Sequence, residues 1–469
     1  MRASLIVGAL AVIVVVGVEC KRTNGAYCDD ARPCANGLAC DLTTHECHPM
    51  VVGGADLAGL STDMAGCACS GPTPICVAGT CESCMSTSAP DAACAAISPS
   101  TPHCASDGTC VGCRDMSDCS GAKPFCDAGT HVCRGCVADS ECPSLICDLT
   151  PNSMSHGVCI DSANVVYADA VNGNDANMGL TPTTATKTIM HAINNAVGLS
   201  PPRLYVHAAT GTYPDQIGVN GKTIYVVGAP GAIIHTTSGG KDAIGAQSGG
   251  SMTVRNLIAE ADSGNGGNCN GASFTAYQTQ FINSGQDGIV SSGCTPLLLD
   301  GCTVSGNTQG GVVISSGDFT IVNSIIVKNM GVAVYQTVAA ANTILVNDTI
   351  ADNSTGAGVA GVHCALVGSA LPVNTILYNN RTGGGGISET DCTGAFLASD
   401  DPTAGPQSTV DLTMQMPGFV GAGNYHLMSG SPCINEGTGT MGAPNHDFDF
   451  EPRPDATKML WDIGADEVQ

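Results

Sequence analysis

From about residue 163 onward, apolar residues come in runs of three to six, broken by Gly, Asn, Asp and Ser. Helical periodicity is nearly absent, and 187–197 is the one stretch predicted as a helix. Short strand-like runs recur instead, at 254–259, 279–283, 302–305, 324–328, 348–352 and 375–379. Aligned on one apolar position they give Ile258, Phe281, Val304, Ile326, Ile350 and Leu377, at steps of 23, 23, 22, 24 and 27 residues. In several repeats a second strand follows a glycine, at 288–290, 311–313, 331–333 and 358–359.

Two or three short strands per repeat, joined by tight turns, predict an all-β chain coiling on itself as a parallel β-helix. Stacked rungs lie ~4.8 Å apart, so like side chains meet at every step. The inward Val, Ile, Leu and Phe then form one continuous core. Asn307, Asn329, Asn353 and Asn380 recur at 22, 24 and 27 residues, each three places after an aliphatic anchor. An Asn at a bend can adopt the left-handed conformation and hydrogen-bond the Asn of the adjacent rung, satisfying turn backbone that is otherwise buried unpaired. The four are therefore expected to be a structural ladder and not a catalytic set. The same rung spacing pairs Cys364 with Cys392 and Cys269 with Cys294, since neighbouring rungs bring their Cα atoms within disulfide reach. Cys302 and Cys433 remain unpaired by this reading.

The front of the chain is different. Of 27 cysteines, 21 lie in residues 1–159. After Cys20 they fall into five sets of four, beginning at Cys28, Cys67, Cys84, Cys113 and Cys136. Such a segment has too little apolar material for a large core and is predicted to be stapled by disulfides, which implies an oxidising compartment. Four cysteines allow three connectivities per module. Three C-x-x-C pairs, Cys81/Cys84, Cys110/Cys113 and Cys133/Cys136, have zinc spacing, but each joins one module to the next, and disulfides are the expectation. Residues 51–66 look like a linker.

Arg2 followed by the uncharged, mostly apolar stretch 3–18 reads as a signal peptide, residues 1–19, too short for a comfortable membrane span. The stretch resembles a bacterial lipoprotein signal, although Glu19 stands where a small residue is preferred. That resemblance implies lipidation of Cys20, and removing Cys20 from the count leaves even numbers before and after Cys159. The domain organisation expected is thus 1–19 signal, 20–160 cysteine-rich repeats and 163–469 β-helix. A formal charge of −25 disfavours nucleic acid, and also polyanionic sugars unless calcium bridges them.

The stretches Val165-Val166-Tyr167-Ala168-Asp169, Asn172-Gly173-Asn174-Asp175 and Lys187-Thr188-Ile189 open the coil. Tyr425-His426-Leu427, Ser429-Gly430-Ser431-Pro432-Cys433 and Asp462-Ile463-Gly464-Ala465-Asp466-Glu467 close it. Together they resemble bacterial right-handed parallel β-helix proteins of the pectin-lyase-like fold, over roughly residues 163–469. Polysaccharide lyases of that fold imply an Arg or Lys base and acid-held calcium. The bases within the coils are Lys241, Arg255, Lys328 and Arg381; the acids are Asp287, Asp300, Asp348 and Asp352. No strand carries a cluster of aspartates, and the pair Asp400-Asp401 lies beyond the recognisable rungs. Asp169, Asn174 and Asp175 could ligate calcium, against the plainer reading of an Asx-rich turn. Asp447, Asp449, Glu451 and Asp455 offer a second such place, with Arg453 expected to pair with one of them or with Asp462 or Glu467. His363 and Tyr335 sit on successive post-glycine strands. Gly221-Lys222-Thr223 mimics the tail of a phosphate loop, but Gln216 replaces its first glycine. The expectation is an exported cell-envelope protein with non-catalytic glycan binding or surface structure. The alternative is a polysaccharide lyase or glycoside hydrolase. A membrane would be met only through a lipid at Cys20.

Overall fold

A computed structural model of the chain describes residues 38–41, 46–49 and 69–469, apart from 78, 152, 238, 339–341, 365–371, 403–407, 440–442 and 456–459. Cys20, the leader and the linker 51–66 lie outside the described residues. No described helix is long and apolar enough to cross a membrane. The chain divides into two compact units. One ends at Asp118 and takes in Cys126–Cys133; the other comprises Cys119–Phe125 and Arg134–Gln469.

Among the described residues of the first unit, the cysteine sets bond in an interleaved order, first to third or second to fourth. Cys84 joins Cys104, Cys94 joins Cys110, and Cys113 joins Cys126. Cys69 bonds Cys81. The C-x-x-C neighbours Cys81/Cys84 and Cys110/Cys113 therefore reach away from one another to separate partners. The last set follows the same order, Cys136 to Cys147 and Cys142 to Cys159, but it belongs to the second unit. Arg255 explains why. Its guanidinium leaves the coil, meets Asp139 at 2.7 Å and donates to the Cys147 carbonyl at 3.0 Å. Ile146 packs beside it on Val165, Tyr167 and Val227.

The coil begins at Val165–Ala168 and has three parallel faces. Face one stacks Ile217–Asn220, Ile244–Gln247, Gly267–Asn270, Val334–Gln336 and Val362–Cys364, with the long strands Ile289–Asp300 and Val312–Val322 entering between the third and fourth. Face two runs from Val165–Ala168 through Tyr205–Ala208, Thr223–Gly228, Ser251–Arg255 and Ser273–Tyr277, then through the second halves of the same long strands to Thr343–Val346 and Pro372–Val373. Face three runs from Gly211–Tyr213 to Ser408–Asp411. Alternation sends one side chain of each strand inward, and Phe281, Val304, Ile326, Ile350 and Leu377 stack in register, all fully buried.

The anchor at Ile258 is a correction. Ile258 pairs with Gln280 and is only half-buried; Ala259 is the residue in register with Phe281. The run 254–259 is also two strands, separated by a bend at Asn256, whose φ is 57°. The predicted helix is Ile189–Gly198, capped by Thr188, whose hydroxyl accepts from the His191 N–H. Its apolar side covers the first rung. Post-glycine strands start with glycine for a steric reason: a Cβ on Gly311 would lie 2.3 Å from the Ala333 carbonyl oxygen.

The asparagine column is continuous. Asn307 Nδ2 donates to Asn329 Oδ1 at 2.8 Å, Asn329 to Asn353 at 2.9 Å, and Asn353 to Asn380 at 2.8 Å. Each Oδ1 also accepts the backbone N–H of the rung before, from Ser284, Asn307, Asn329 and Asn353 in turn. Each Nδ2 also reaches a carbonyl, from Phe281 O to Ile350 O. The left-handed residue is not the ladder Asn, however. It is the residue before it: Gly306, Lys328, Asp352 and Asn379, with φ between 57° and 69°. That neighbour makes the turn, which leaves the Asn free to point inward. Cys269 bonds Cys294 and Cys364 bonds Cys392, with Cα separations of 5.9 and 5.4 Å. Cys302 and Cys433 are buried free thiols.

Asn329→Leu strands two donors of Asn307 in the core, each unmade bond costing roughly 1–3 kcal/mol. Chemical denaturation should show a loss of about 3–5 kcal/mol. A midpoint within experimental error of wild type would disprove the ladder's structural role. Arg255→Met should cost about 2–3 kcal/mol and raise amide exchange at 145–147, because it leaves Asp139 half-buried without its charge partner.

Candidate functional site

Face one presents two outward columns of side chains along the coil. Strand alternation puts Ile217, Ile244 and Ile289 inside, and leaves their neighbours pointing out. One outward column is Asn220, Gln247, Asn270 and Ser292, all exposed. The other runs Gly218, Gly245, Asn268, Val290, Val313, Tyr335 and His363. Tyr335 and His363 are half-buried and stacked, ring centroids 4.9 Å apart. His363 Nδ1 lies 2.6 Å from Asp391 Oδ2, and Asp391 Oδ1 accepts the Cys364 N–H. Asp242 holds the other end. Its carboxylate accepts Asn265 N–H and Nδ2 at 2.9 and 2.8 Å, and Asn268 Nδ2 at 2.7 Å. Beside it, the helix and the first rungs enclose a cleft of about 670 Å³, lined by His191, Asp215, Gln216, Asn220, Lys222 and Lys241 among others.

The four coil bases do not converge. Lys241 lines that cleft, whereas Arg255 is spent on Asp139. Lys328 Nζ sits 5.7 Å over the Tyr425 ring. Arg381 donates to Asn379 Oδ1 and the Gly385 carbonyl. The acids are likewise engaged. Asp300 holds His446 Nε2 with both oxygens at 3.0 Å. Asp348 is inside the coil, accepting Ser324 N–H, and burial raises its carboxyl well above the usual range. Asp352 meets Asn379 Nδ2 and the Tyr425 hydroxyl. Asp287 is raised by burial. Asp400 corrects the expectation for the pair Asp400-Asp401. It directly follows the rung strand Leu397–Ser399 and accepts the Asn379 N–H, so it lies within the stack.

Asp400 also marks what spacing did not reveal. Glu389, fully buried, ends the asparagine column by accepting both the N–H and Nδ2 of Asn380. Burial, then the hydrogen bond with Asp400, raises its carboxyl well above the usual range. A second column was equally hidden. Asn256, Gln278, Gly301, Asn323, Asn347 and Asn374 all have positive φ at the other bend, and Asn374 Nδ2 donates to Asn347 Oδ1 at 3.0 Å. Its signal was present, since these positions share the ladder's period.

Asp169, Asn174 and Asp175 each serve a separate turn. Asp169 Oδ1 accepts Val171 and Asn172 N–H, Asn174 Oδ1 accepts Ala176 N–H, and Asp175 Oδ1 accepts Lys187 and Thr188 N–H. Of the C-terminal acids, Asp447 is buried and accepts N–H groups from Asp449, Glu451 and Glu467; burial lifts it to about 6. Arg453 is buried against Glu467 at 3.4 Å and donates to Gly464 O, pinning the final segment.

One family comparison agrees with this architecture. Residues 224–382 match a family model described as a right handed beta helix region. Residues 51–165 match a family of unknown function (DUF8331). Among solved structures the chain is similar to the crystal structure of pectate lyase Pel9A, at 14% identity over 65% of this chain and 96% of that one, with a TM-score of 0.34. No curated protein matches. The stacked faces and the family match define a right-handed parallel β-helix, preceded by disulfide-rich modules.

The buried carboxyls set the pH response. Glu389, Asp348, Asp447, Asp466 and Glu467 are all raised, in each case first by burial. Such a group binds its proton more tightly folded than unfolded. Its stabilisation is fully present below the unfolded values of 3.8 or 4.5 and is lost as pH rises through the folded one. His207, lowered to about 4 by burial, opposes them below its ordinary 6.5. Glu141, held near 2 by Arg134, matters only in stronger acid. Melting temperature should therefore be highest near pH ~4 and fall as pH rises toward ~8. A melting temperature that climbs steadily to pH ~8 contradicts this account.

Proposed function

We propose that this is an exported cell-envelope protein that binds a neutral, extended glycan along face one without turning it over. The supporting observation is the pairing of an amide column (Asn220, Gln247, Asn270) with the stacked Tyr335–His363 plane on one flank. Amides offer both donors and acceptors to hydroxyls, and an aromatic plane takes the apolar side of a sugar ring. Rungs repeat every ~4.8 Å, so the surface offers a polymer a periodic set of like contacts. The acids on this face, Asp242 and Asp391, are occupied in holding Asn265, Asn268 and His363, which argues against general acid–base work there. Export is supported by the disulfides, which need an oxidising compartment. The anchor would be a lipid on Cys20, and intact mass of the mature protein would reveal the acyl chains.

A panel of neutral glycans and polyuronates tests the reading. Retention of a neutral glycan in affinity electrophoresis is expected, with no ultraviolet-absorbing unsaturated product and no new reducing ends. Unsaturated product would replace the proposal with a lyase, and new reducing ends with a hydrolase. Tyr335→Ala and Asn270→Ala should each weaken retention about 3–10-fold, the loss of one net contact of roughly 0.5–1.5 kcal/mol.

A further inference from the structure

Three side chains from separate parts of the C-terminal region converge outside face one. His426 belongs to the strand Asn424–Leu427, Asp449 to the turn after Asp447, and Asp466 to the final stretch. One ligand atom of each lies within 4.8 Å of the other two.

The hydrogen bonds around His426 fix its tautomer. Asn424 Oδ1 accepts the backbone N–H of His426 at 3.1 Å, which identifies that atom as the amide oxygen. The same oxygen is 2.6 Å from His426 Nδ1, so Nδ1 carries a hydrogen and donates it. In the neutral ring Nε2 is then a lone pair, and it faces Asp449 Oδ2 at 2.8 Å. Two acceptors at that distance repel unless a cation lies between them.

Asp466 indicates which cation. It is a buried residue, 8% exposed. One oxygen accepts the Leu427 N–H at 2.7 Å, and a carboxylate oxygen lies within 4.8 Å of the ligand atoms of both His426 and Asp449. A proton on Nε2 would settle the His426–Asp449 contact alone and leave the Asp449 and Asp466 carboxylates facing one another across the same small space. A metal ion would meet all three groups. The Phe448 ring, edge-on at 5.6 Å, holds the imidazole plane, as a buried shell does around a metal ligand. A cavity of about 330 Å³, lined by Lys328, Asn424, Tyr425, His426 and Phe448, gives access and room for a further ligand.

We infer that His426, Asp449 and Asp466 form a binding site for a divalent transition-metal ion, zinc before others. Zinc takes imidazole nitrogen and carboxylate oxygen at ~2.0–2.2 Å, which sets neighbouring ligands roughly 3–3.4 Å apart. The observed 2.8 Å needs only a small spread. Calcium wants six or more oxygens and is poorly served by a histidine. The ion would tie the strand, the turn and the final stretch together at the end of the coil.

The test uses the full chain without an affinity tag, stripped by chelator under non-reducing conditions and titrated with zinc chloride by calorimetry. One zinc per chain and a raised melting temperature are expected. His426→Ala and Asp449→Asn should each weaken binding at least ~10-fold. Asp449 is nearly half exposed and its replacement is isosteric, so that variant keeps the fold even if the first does not. Absence of stoichiometric zinc binding, wild-type affinity in Asp449→Asn, or tighter binding of calcium than of zinc would each overturn the assignment.

Discussion

The hydrogen-bonded column of Asn307, Asn329, Asn353 and Asn380 is the constraint on which the coil depends. A parallel coil satisfies its strands by stacking, but its bends bury backbone N–H groups that no strand can meet. The oxygens of Asn329, Asn353 and Asn380 each accept one such N–H and one amide hydrogen from the preceding rung, and each ladder nitrogen serves the next rung and a carbonyl. Over the rungs from Phe281 to Leu377, that unbroken chain and the inward register of the stacked core run side by side.

The same logic explains the two ends. At the front, the helix Ile189–Gly198 covers the first rung with an apolar side, because an open coil end would expose its core to water. Along face two, the last cysteine module is held by Arg255 and Ile146. At the back, Arg453, Glu467, Asp447 and Asp462 form a buried polar lattice that pins the final segment. Burial of so many carboxyls is costly for charged groups, and the chain tolerates it because backbone N–H groups from Leu427, Asp455, Asp462 and Glu467 point at them.

Much of this was legible in the chain. The period of Ile326, Ile350 and Leu377 and of the ladder asparagines survives in linear spacing, since a rung contributes the same position each time. The pairs Cys269–Cys294 and Cys364–Cys392 follow from the same repeat. What escaped did so for identifiable reasons. Ile258 looked like an anchor because hydrophobicity alone does not say which side of a strand a residue faces, and one residue of slip reverses it. The left-handed position fell to the residue before each ladder Asn, and one of these is Lys328, which has no preference for it. Glu389 lies nine residues after Asn380, off the period altogether. His426, Asp449 and Asp466 come together only through the folding of irregular segments, which carry no repeat to read.

The asparagine column has a direction. Every member passes hydrogens toward the C-terminal end, so the series stops at a group whose two oxygens both accept from the last asparagine, and Glu389 is that group. An interior rung is thus interchangeable with its neighbours, while the terminator is unique. Duplication or deletion of whole middle turns would leave the wiring intact, and the coil could lengthen or shorten during evolution so long as its stopper travelled with the last turn.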